Sequence, residues 1–300
     1  MEYPNKKIYV TEAYSSDNTY EILKTYGNKI KLERVKGNAP TAHNHVFKKI
    51  NSDLIAFTDA DCVVDKIWLK NLVKVFTSDD IVAAGGFCKT PQDVNHLQQL
   101  IGRELENRFH KIPKNACVSR LPTMNLCVRT YVVKKVKMDE SLDVTFESDW
   151  GNRLTRLGKM VYVPDAVVYH YHRSDLKSFF KQQLNYGKFV IKRRNIYIGY
   201  NKFGDYLSTP LMGIQLLSFN FFILISLMSL WIKLFLVTNL LINLIASVFF
   251  LIFILSLISD IKPITKNSLD IFKYIALFFV RTVAWSVGIL IGAIDLLRGK

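Results

Sequence analysis

Cysteine is scarce in this chain of 300 residues: Cys62, Cys88, Cys117 and Cys127 are the full set. None form a C-x-x-C pair or a zinc-type spacing, which excludes those metal and redox motifs. Buried, reduced thiols in a cytosolic domain are expected instead. The opening Met1-Glu2-Tyr3-Pro4 has no apolar h-region, so no secretory signal peptide is expected there. Internal repeats and low-complexity stretches are absent. Acidic residues are outnumbered, 25 against 40 basic ones, for a net charge of +15. No RNA- or DNA-binding motif accompanies that charge, so nucleic acid is not an expected partner.

Charge is missing altogether from long stretches. Between Leu211 and Ile258 the only charged residue is Lys233. A membrane span needs about 20 apolar residues, so this stretch holds two spans, about 211–231 and 236–258, with Lys233 in the turn between them. A third apolar run, about 272–294, carries Lys273 near its start and Arg281 inside. Arg281 is costly in lipid, so it should face other helices, or the run is partly interfacial. Before the first span, Arg173, Lys177, Lys181, Lys188, Lys192, Arg193, Arg194 and Lys202 crowd together, interleaved with Phe179, Phe180, Tyr186, Phe189, Tyr197, Tyr200 and Tyr206. That mixture suits a basic interfacial segment over 176–208 and marks the cytoplasmic side. A multi-pass cell-membrane protein with a cytoplasmic N-terminal domain (1–175) and a transmembrane region (211–296) is expected. A third full span would place Arg298 and Lys300 outside, against the positive-inside rule.

The first 175 residues alternate strand-like and helix-like patterns. Ile8-Tyr9-Val10 reads as a strand, followed by a helix through Thr19, Ile22 and Leu23 capped by Ser16 or Asp17. Ile30-Lys31-Leu32 is a second strand, and a helix is expected near Thr41 to Ile50. Leu54-Ile55-Ala56 leads into Phe57-Thr58-Asp59-Ala60-Asp61: a buried strand whose C-terminal edge carries carboxylates. A helix follows with Trp68, Leu69, Leu72, Val73 and Phe76 on one face. Ile81-Val82-Ala83-Ala84 is another strand, ended by Gly85-Gly86. Such alternation argues a parallel sheet with helices on its faces. Further on, Asn95 to Phe109 looks helical and Pro122 to Arg129 extended. Phe146-Glu147-Ser148-Asp149 starts a helix that Gly158 ends. Met160 to Pro164 and Ala166 to His170 are two more extended runs.

In open α/β sheets, ligands bind at the carboxyl ends of strands. Two carboxylates one residue apart can hold a divalent cation on a diphosphate, since hard oxygen ligands suit Mg²⁺ or Mn²⁺. Alternatively, Asp59-Ala60-Asp61 is a solvated turn with Asp61 capping the next helix.

The order of these segments resembles the family 2 glycosyltransferases. The matching pieces are Glu12–Thr19, Ala39–Asn44, Phe57–Asp61, Asn125–Arg129, Glu147–Asp149 and Tyr162–His170. The resemblance implies a GT-A fold, a Rossmann-like mixed α/β sheet for nucleotide-diphospho-sugar transferases, followed here by transmembrane helices. It implies that Glu12, Asn44, Asp59 and Gly86 serve the nucleotide-sugar, with Glu12 at the nucleoside and Asp59 near the ribose. Asp61, with Asp59 and His170, would hold Mg²⁺ or Mn²⁺, although His170 is equally read as a structural histidine. Glu147 or Asp149 would be the general base of an inverting transfer, Glu147 by its spacing to Arg153-Leu154. Asp149 serves equally as compensation for the helix N-terminus. Asn125, Arg129 and Trp150 would lie on the acceptor side. Gln182–Lys188 resembles a segment that follows the catalytic domain in membrane-bound members, or is simply a basic interfacial helix. It lacks the Gln-x-x-Arg-Trp pattern of processive polymerases, which argues for transfer of a single sugar.

The chain departs from the family pattern in three places. The family's first strand and helix should precede Tyr3, so the sequence looks short by one βα unit of roughly 30 residues, which would leave a sheet edge exposed. His43 stands where the family often has Arg, and Ala13 where it has a second acidic residue. The expected function is a membrane-bound inverting glycosyltransferase of hexosyltransferase type in polysaccharide biosynthesis. It would move a sugar from a nucleotide-diphospho-sugar to a lipid-linked or cell-surface saccharide. A catalytically impaired homologue acting as a membrane scaffold is the competing expectation. A transporter subunit is a second alternative with little support, because the apolar runs offer almost no polar lining.

Overall fold

The computed structural model describes residues 1–192, 205–231, 236–265 and 267–298. The expected turn at Lys233 and the basic and aromatic residues Arg193, Arg194, Tyr197, Tyr200 and Lys202 lie outside them. The chain divides into a first unit, Met1–Gln92 with Ile112–His172, and a second, Asp93–Lys111 with everything from Arg173 onward.

In the first unit, β1 (Tyr9–Glu12) and β2 (Lys31–Arg34) pair in parallel across α1 (Thr19–Lys24). They form a two-stranded sheet of their own. Asp17 Oδ1 accepts from the Thr19 amide at the helix start. Helix α2 (Ala39–Phe47) begins two residues earlier than expected. The Asn38 side chain caps it at the Thr41 amide, and Pro40 sits in the first turn, where a missing N–H costs nothing.

The second sheet is mixed, in the order β3-β6-β5-β7-β4. Its strands are β3 (Leu54–Phe57), β4 (Cys62–Val64), β5 (Ile81–Lys89), β6 (Leu126–Arg129) and β7 (Lys159–His170). Only β5 and β7 run parallel; β6 lies antiparallel to both β3 and β5, and β4 antiparallel to β7. The sheet is mixed, as the family resemblance implies, where strand–helix alternation alone argues a parallel one. Strand β5 runs through Gly85-Gly86 rather than ending there. A Cβ on Gly86 would lie 1.8 Å from the Ala166 carbonyl oxygen, so glycine lets β7 approach rather than breaking β5. The two runs on either side of Pro164 are one strand, with a register shift opposite Gly86 and Phe87.

Helix α3 (Trp68–Val73) buries Trp68 and Leu72 against Ala84, Cys127, Val161, Val163, Ala166 and Val168, the centre of this core. Helices α5 (Thr130–Lys135) and α6 (Phe146–Leu154) complete the unit. All four cysteines are free; Cys88 and Cys127 are buried as expected, while Cys117 is exposed and Cys62 half-buried.

The second unit contains α4 (His96–His110), α7 (Leu176–Lys192), α8 (Pro210–Trp231), α9 (Leu236–Ile261) and α10 (Ser268–Leu297). Helix α4 lies within the 1–175 stretch, and its apolar face packs Leu97, Leu100 and Ile101 into a cluster with Phe219, Phe253, Leu257 and Phe278. Asn95 caps α4 with a full capping box to Gln98. Helices α8, α9 and α10 are each long and apolar enough to cross a membrane. At 1.5 Å per residue, α8 and α9 are about 33 and 39 Å long, enough for a hydrocarbon core of about 30 Å.

Arg281 does face other helices. It donates to Glu104 Oε1 on α4 at 3.1 Å and to Gln215 Oε1 on α8 at 2.8 Å, and lies 3.7 Å from Asp260 on α9. Its side chain is 6% exposed. Removing one member of a buried ionic group strands the others. Arg281→Ala is therefore expected to cost about 3–5 kcal/mol, read as a lowered melting temperature of the detergent-solubilised protein.

Candidate active site

The site is built where β3 ends and β4 returns beside β7. Register pairs Cys62 with His170, so the residue before Cys62 meets the end of β7. The Tyr171 amide donates to the Asp61 carbonyl at 2.9 Å and fixes that corner. His170 Nε2 then lies 3.6 Å from Asp61 Oδ1. Ligand atoms of Asp61, Cys62 and His170 all fall within 4.8 Å of one another. Asp61 does not cap the following helix; a strand intervenes, and Asp65 Oδ1 accepts from the Ile67 amide instead.

Asp59 reaches solvent, yet the atoms packed around it, and then the Glu147 and Asp61 carboxylates, push its carboxyl up to about 6 against a smaller pull from His170. Burial pushes the Cys62 thiol up to about 12, with both aspartates adding to the shift. Among the described residues the buried Nδ1 of His170 has no hydrogen-bond partner, so none of them pins the ring's tautomer. A carboxylate and an imidazole converging at an open corner form a donor set that a divalent cation fits.

Glu147 lies in the first turn of α6, after Thr145 in a left-handed conformation (φ 68°). Its Oε1 accepts from both the amide and the hydroxyl of Thr123, each at 2.7 Å. An aromatic group anchors this helix to the strand: Trp150 stacks on Phe47 at 6.0 Å and meets Phe57 edge-on at 5.7 Å. Thr123 has no sequence signal of its own, and β4 is too short to show a period; Thr123 and Cys62 are the members that motif reading misses.

The structure turns several other expected site residues inward. Asn125 is fully buried, donating to the carbonyls of Phe87 and Ala166 at 2.9 Å and accepting from Trp68 Nε1 at 2.8 Å. It knits β5, β7 and α3 together rather than facing an acceptor. Arg129 spends its guanidinium on the carbonyls of Ile81 and Ser78. Trp150 Nε1 donates to the Val136 carbonyl at 2.7 Å, and its ring is buried. Asn44 is buried too; it exchanges two hydrogen bonds with the Met138 backbone and donates to Glu140. Asp149 is buried and paired with Arg153, so its charge is already compensated. The backbone of Gly86 is covered by Ala166.

Glu12 is buried at the end of β1. Burial alone would raise its carboxyl, but hydrogen bonds from Ser15 and from Arg34 (2.6 Å) outweigh that and hold it below the ordinary range. The Arg34 guanidinium also sits over the rings of Tyr14 and Tyr20, at 4.1 and 4.0 Å.

His43 packs against Phe57 at 5.3 Å and Phe47 at 6.3 Å. Burial pushes its pKa down to about 4, so the folded chain binds fewer protons than the unfolded chain between about pH 4 and 6.5. Stability from this site is present above pH 6.5 and is lost as pH falls towards 4. A loss on the order of 2 kcal/mol is expected over that window, and His43→Gln should flatten it in pH-dependent melting curves.

A family model described as "Glycosyltransferase like family 2" matches residues 1–185. No curated protein matches. Among solved structures, S. aureus TarS 1-349 in complex with UDP-GlcNAc is 13% identical, with 98% of this chain and 83% of that chain covered and a TM-score of 0.45. A second S. aureus TarS structure is 14% identical at a TM-score of 0.41, covering 65% of this chain. GalNAc-T7 with UDP, GalNAc and Mn²⁺ is 14% identical at 0.43, covering 61%. The chain spans 38% and 44% of the length of these last two. By the family match over residues 1–185, this chain belongs to the glycosyltransferase family 2 group, with a GT-A domain followed by helices able to cross a membrane.

Proposed function

We propose that this chain is a membrane-bound inverting glycosyltransferase of hexosyltransferase type, with its catalytic domain on the cytoplasmic face. The donor is a nucleotide-diphospho-sugar, and the acceptor a lipid-linked or cell-surface saccharide. The observation that carries this reading is the convergence of Asp61 and His170 through β4–β7 pairing, together with Glu147 fixed by Thr123. GalNAc-T7 was solved with UDP and Mn²⁺ and TarS with UDP-GlcNAc, in line with a UDP-sugar donor.

Asp61 and His170, with Asp59 beside them, would hold Mg²⁺ or Mn²⁺. Bound there, the cation would neutralise the diphosphate leaving group. Glu147 takes the proton from the acceptor hydroxyl as that oxygen attacks the anomeric carbon from the face opposite the diphosphate. Glu12 and Arg34, with Tyr14 and Tyr20 beside them, line the nucleoside end. The buried pairing of Asp149 with Arg153 leaves Glu147 as the base. An acceptor embedded in the bilayer fits the membrane-capable helices.

The test is to incubate the full chain in detergent with labelled UDP- and GDP-sugars, Mn²⁺ or Mg²⁺, and a total lipid extract. Label should move into the organic phase for one donor and only with metal. Nucleotide release without organic-phase label would overturn the lipid acceptor, and no release from any donor would favour the scaffold.

A further inference from the structure

Helix α10 has two unlike faces. Leu269, Phe272, Phe279, Val287, Leu290, Ile294 and Leu297 are exposed and fall, at 100° per residue, within an arc of about 80°; Ile271 and Leu296 widen the exposed apolar surface to about half the circumference. Asp270, Tyr274, Arg281, Gly288 and Gly292 lie on the opposite side and are buried.

The polar face of α10 is covered by two charged helices. From α4, Arg103 reaches Asp270 at 3.5 Å and Glu104 holds Arg281. From α7, Gln183 accepts from Trp285 Nε1 at 2.9 Å and Lys188 pairs with Asp295 at 2.7 Å. These contacts advance together along both chains, so α7 and α10 run in the same direction. Their backbones touch: a Cβ on Gly288 would lie 2.2 Å from the Leu184 carbonyl oxygen, and one on Gly292 2.3 Å from that of Lys188. Helix α7 also carries Lys177 and Lys181, both exposed, with Gln182 and Asn185, and is too polar to enter hydrocarbon.

Depth is fixed by Arg281. It bonds Gln215, near the start of α8, and lies beside Asp260, in the last turn of α9. The middle of α10 therefore sits along the first half of α8, where Asn220 also donates to Ser286 Oγ at 2.8 Å, and beside the last turns of α9. Only Thr282 to Leu297 remain beyond it, about 24 Å of helix against a core of about 30 Å. Helix α7 lies along that remainder.

We propose that α10 does not cross the membrane: it lies in the membrane–water interface, with its exposed apolar stripe against the lipid headgroup–acyl boundary and its polar face on α4 and α7. Phe279 on this surface meets Phe219 of α8 edge-on at 5.7 Å, so the stripe adjoins the exposed apolar surface of a membrane-capable helix, which identifies lipid as its occupant. Two crossings then return the chain to its starting side. Arg298 stays on the side from which α8 enters, which removes the conflict with the positive-inside rule. The proposal goes beyond the catalytic reading and stands without it.

The test places one epitope before Met1, one after Lys300 and one between Lys233 and Leu234 of the full chain. Each is followed by protease digestion of sealed vesicles of both orientations. The two terminal epitopes should be lost together in one orientation and protected together in the other, with the inserted epitope behaving oppositely. If the epitope after Lys300 is lost together with the inserted one, α10 crosses and the proposal fails. If all three behave alike, α8 and α9 do not cross either, and the proposal fails with them.

Discussion

Glu147→Gln is expected to lower sugar transfer by about 10²–10⁴-fold, the range a positioned general base supplies. Glutamine keeps Oε1 and therefore both hydrogen bonds from Thr123, which are made to that single oxygen. What it loses is the ability to take a proton. The packing of α6 rests on Trp150, Phe47 and Phe57, none of which the change touches. Melting temperature and metal affinity should stay near wild type while turnover collapses. Asp149→Asn should behave differently. It breaks a buried pair with Arg153, so its main effect is on stability. A kcat loss in Asp149→Asn with unchanged melting, and an active Glu147→Gln, would exchange the two roles.

The second large effect is on metal affinity. Asp61→Asn removes the carboxylate that converges with Cys62 and His170, while leaving the backbone bond from Tyr171 in place. Loss of an outer partner of a metal ligand alone costs about 10–100-fold in affinity. Loss of the ligand itself should therefore weaken Mn²⁺ binding by more than about 100-fold, measured by electron paramagnetic resonance of free Mn²⁺ in the presence of UDP. His170→Ala should weaken it too, by less, because a neutral ligand is lost. Asp59→Asn is the informative third variant: it lies in the same acidic group but not in the converging set, and should alter donor affinity more than metal affinity.

Much of this was legible in the residues. The run Leu54–Phe57 and its acidic end appear as expected, because a short apolar strand and two aspartates need no distant partner to be recognised. The helices expected near Thr41 and from Asn95 are present, and the structure adds their caps, the side chains of Asn38 and Asn95. What could not be read locally depends on pairing. Nothing in Cys62–Val64 announces a strand; it exists because β7 offers an edge. Gly85-Gly86 looked like a stop because glycine is usually one, yet Gly86 is where two strands need to come closest. Asn44, Asn125, Arg129 and Trp150 looked like site residues because they are polar or aromatic within motifs. Their atoms are taken up by backbone carbonyls of neighbouring elements, which only the folded arrangement reveals. The same holds for α10: its hydropathy matches a span, and its two faces become visible only once α4 and α7 are seen to cover one of them.

The central claim is that Asp61 and His170 hold a divalent cation for the donor diphosphate. Anomalous diffraction at the manganese edge, from crystals of the full chain grown with Mn²⁺ and UDP, tests it most directly. A single strong peak within coordinating distance of Asp61 Oδ1 and His170 Nε2, joined to diphosphate oxygens, is the expected result. UDP bound without a peak at that corner, or a peak ligated by other residues, would contradict it.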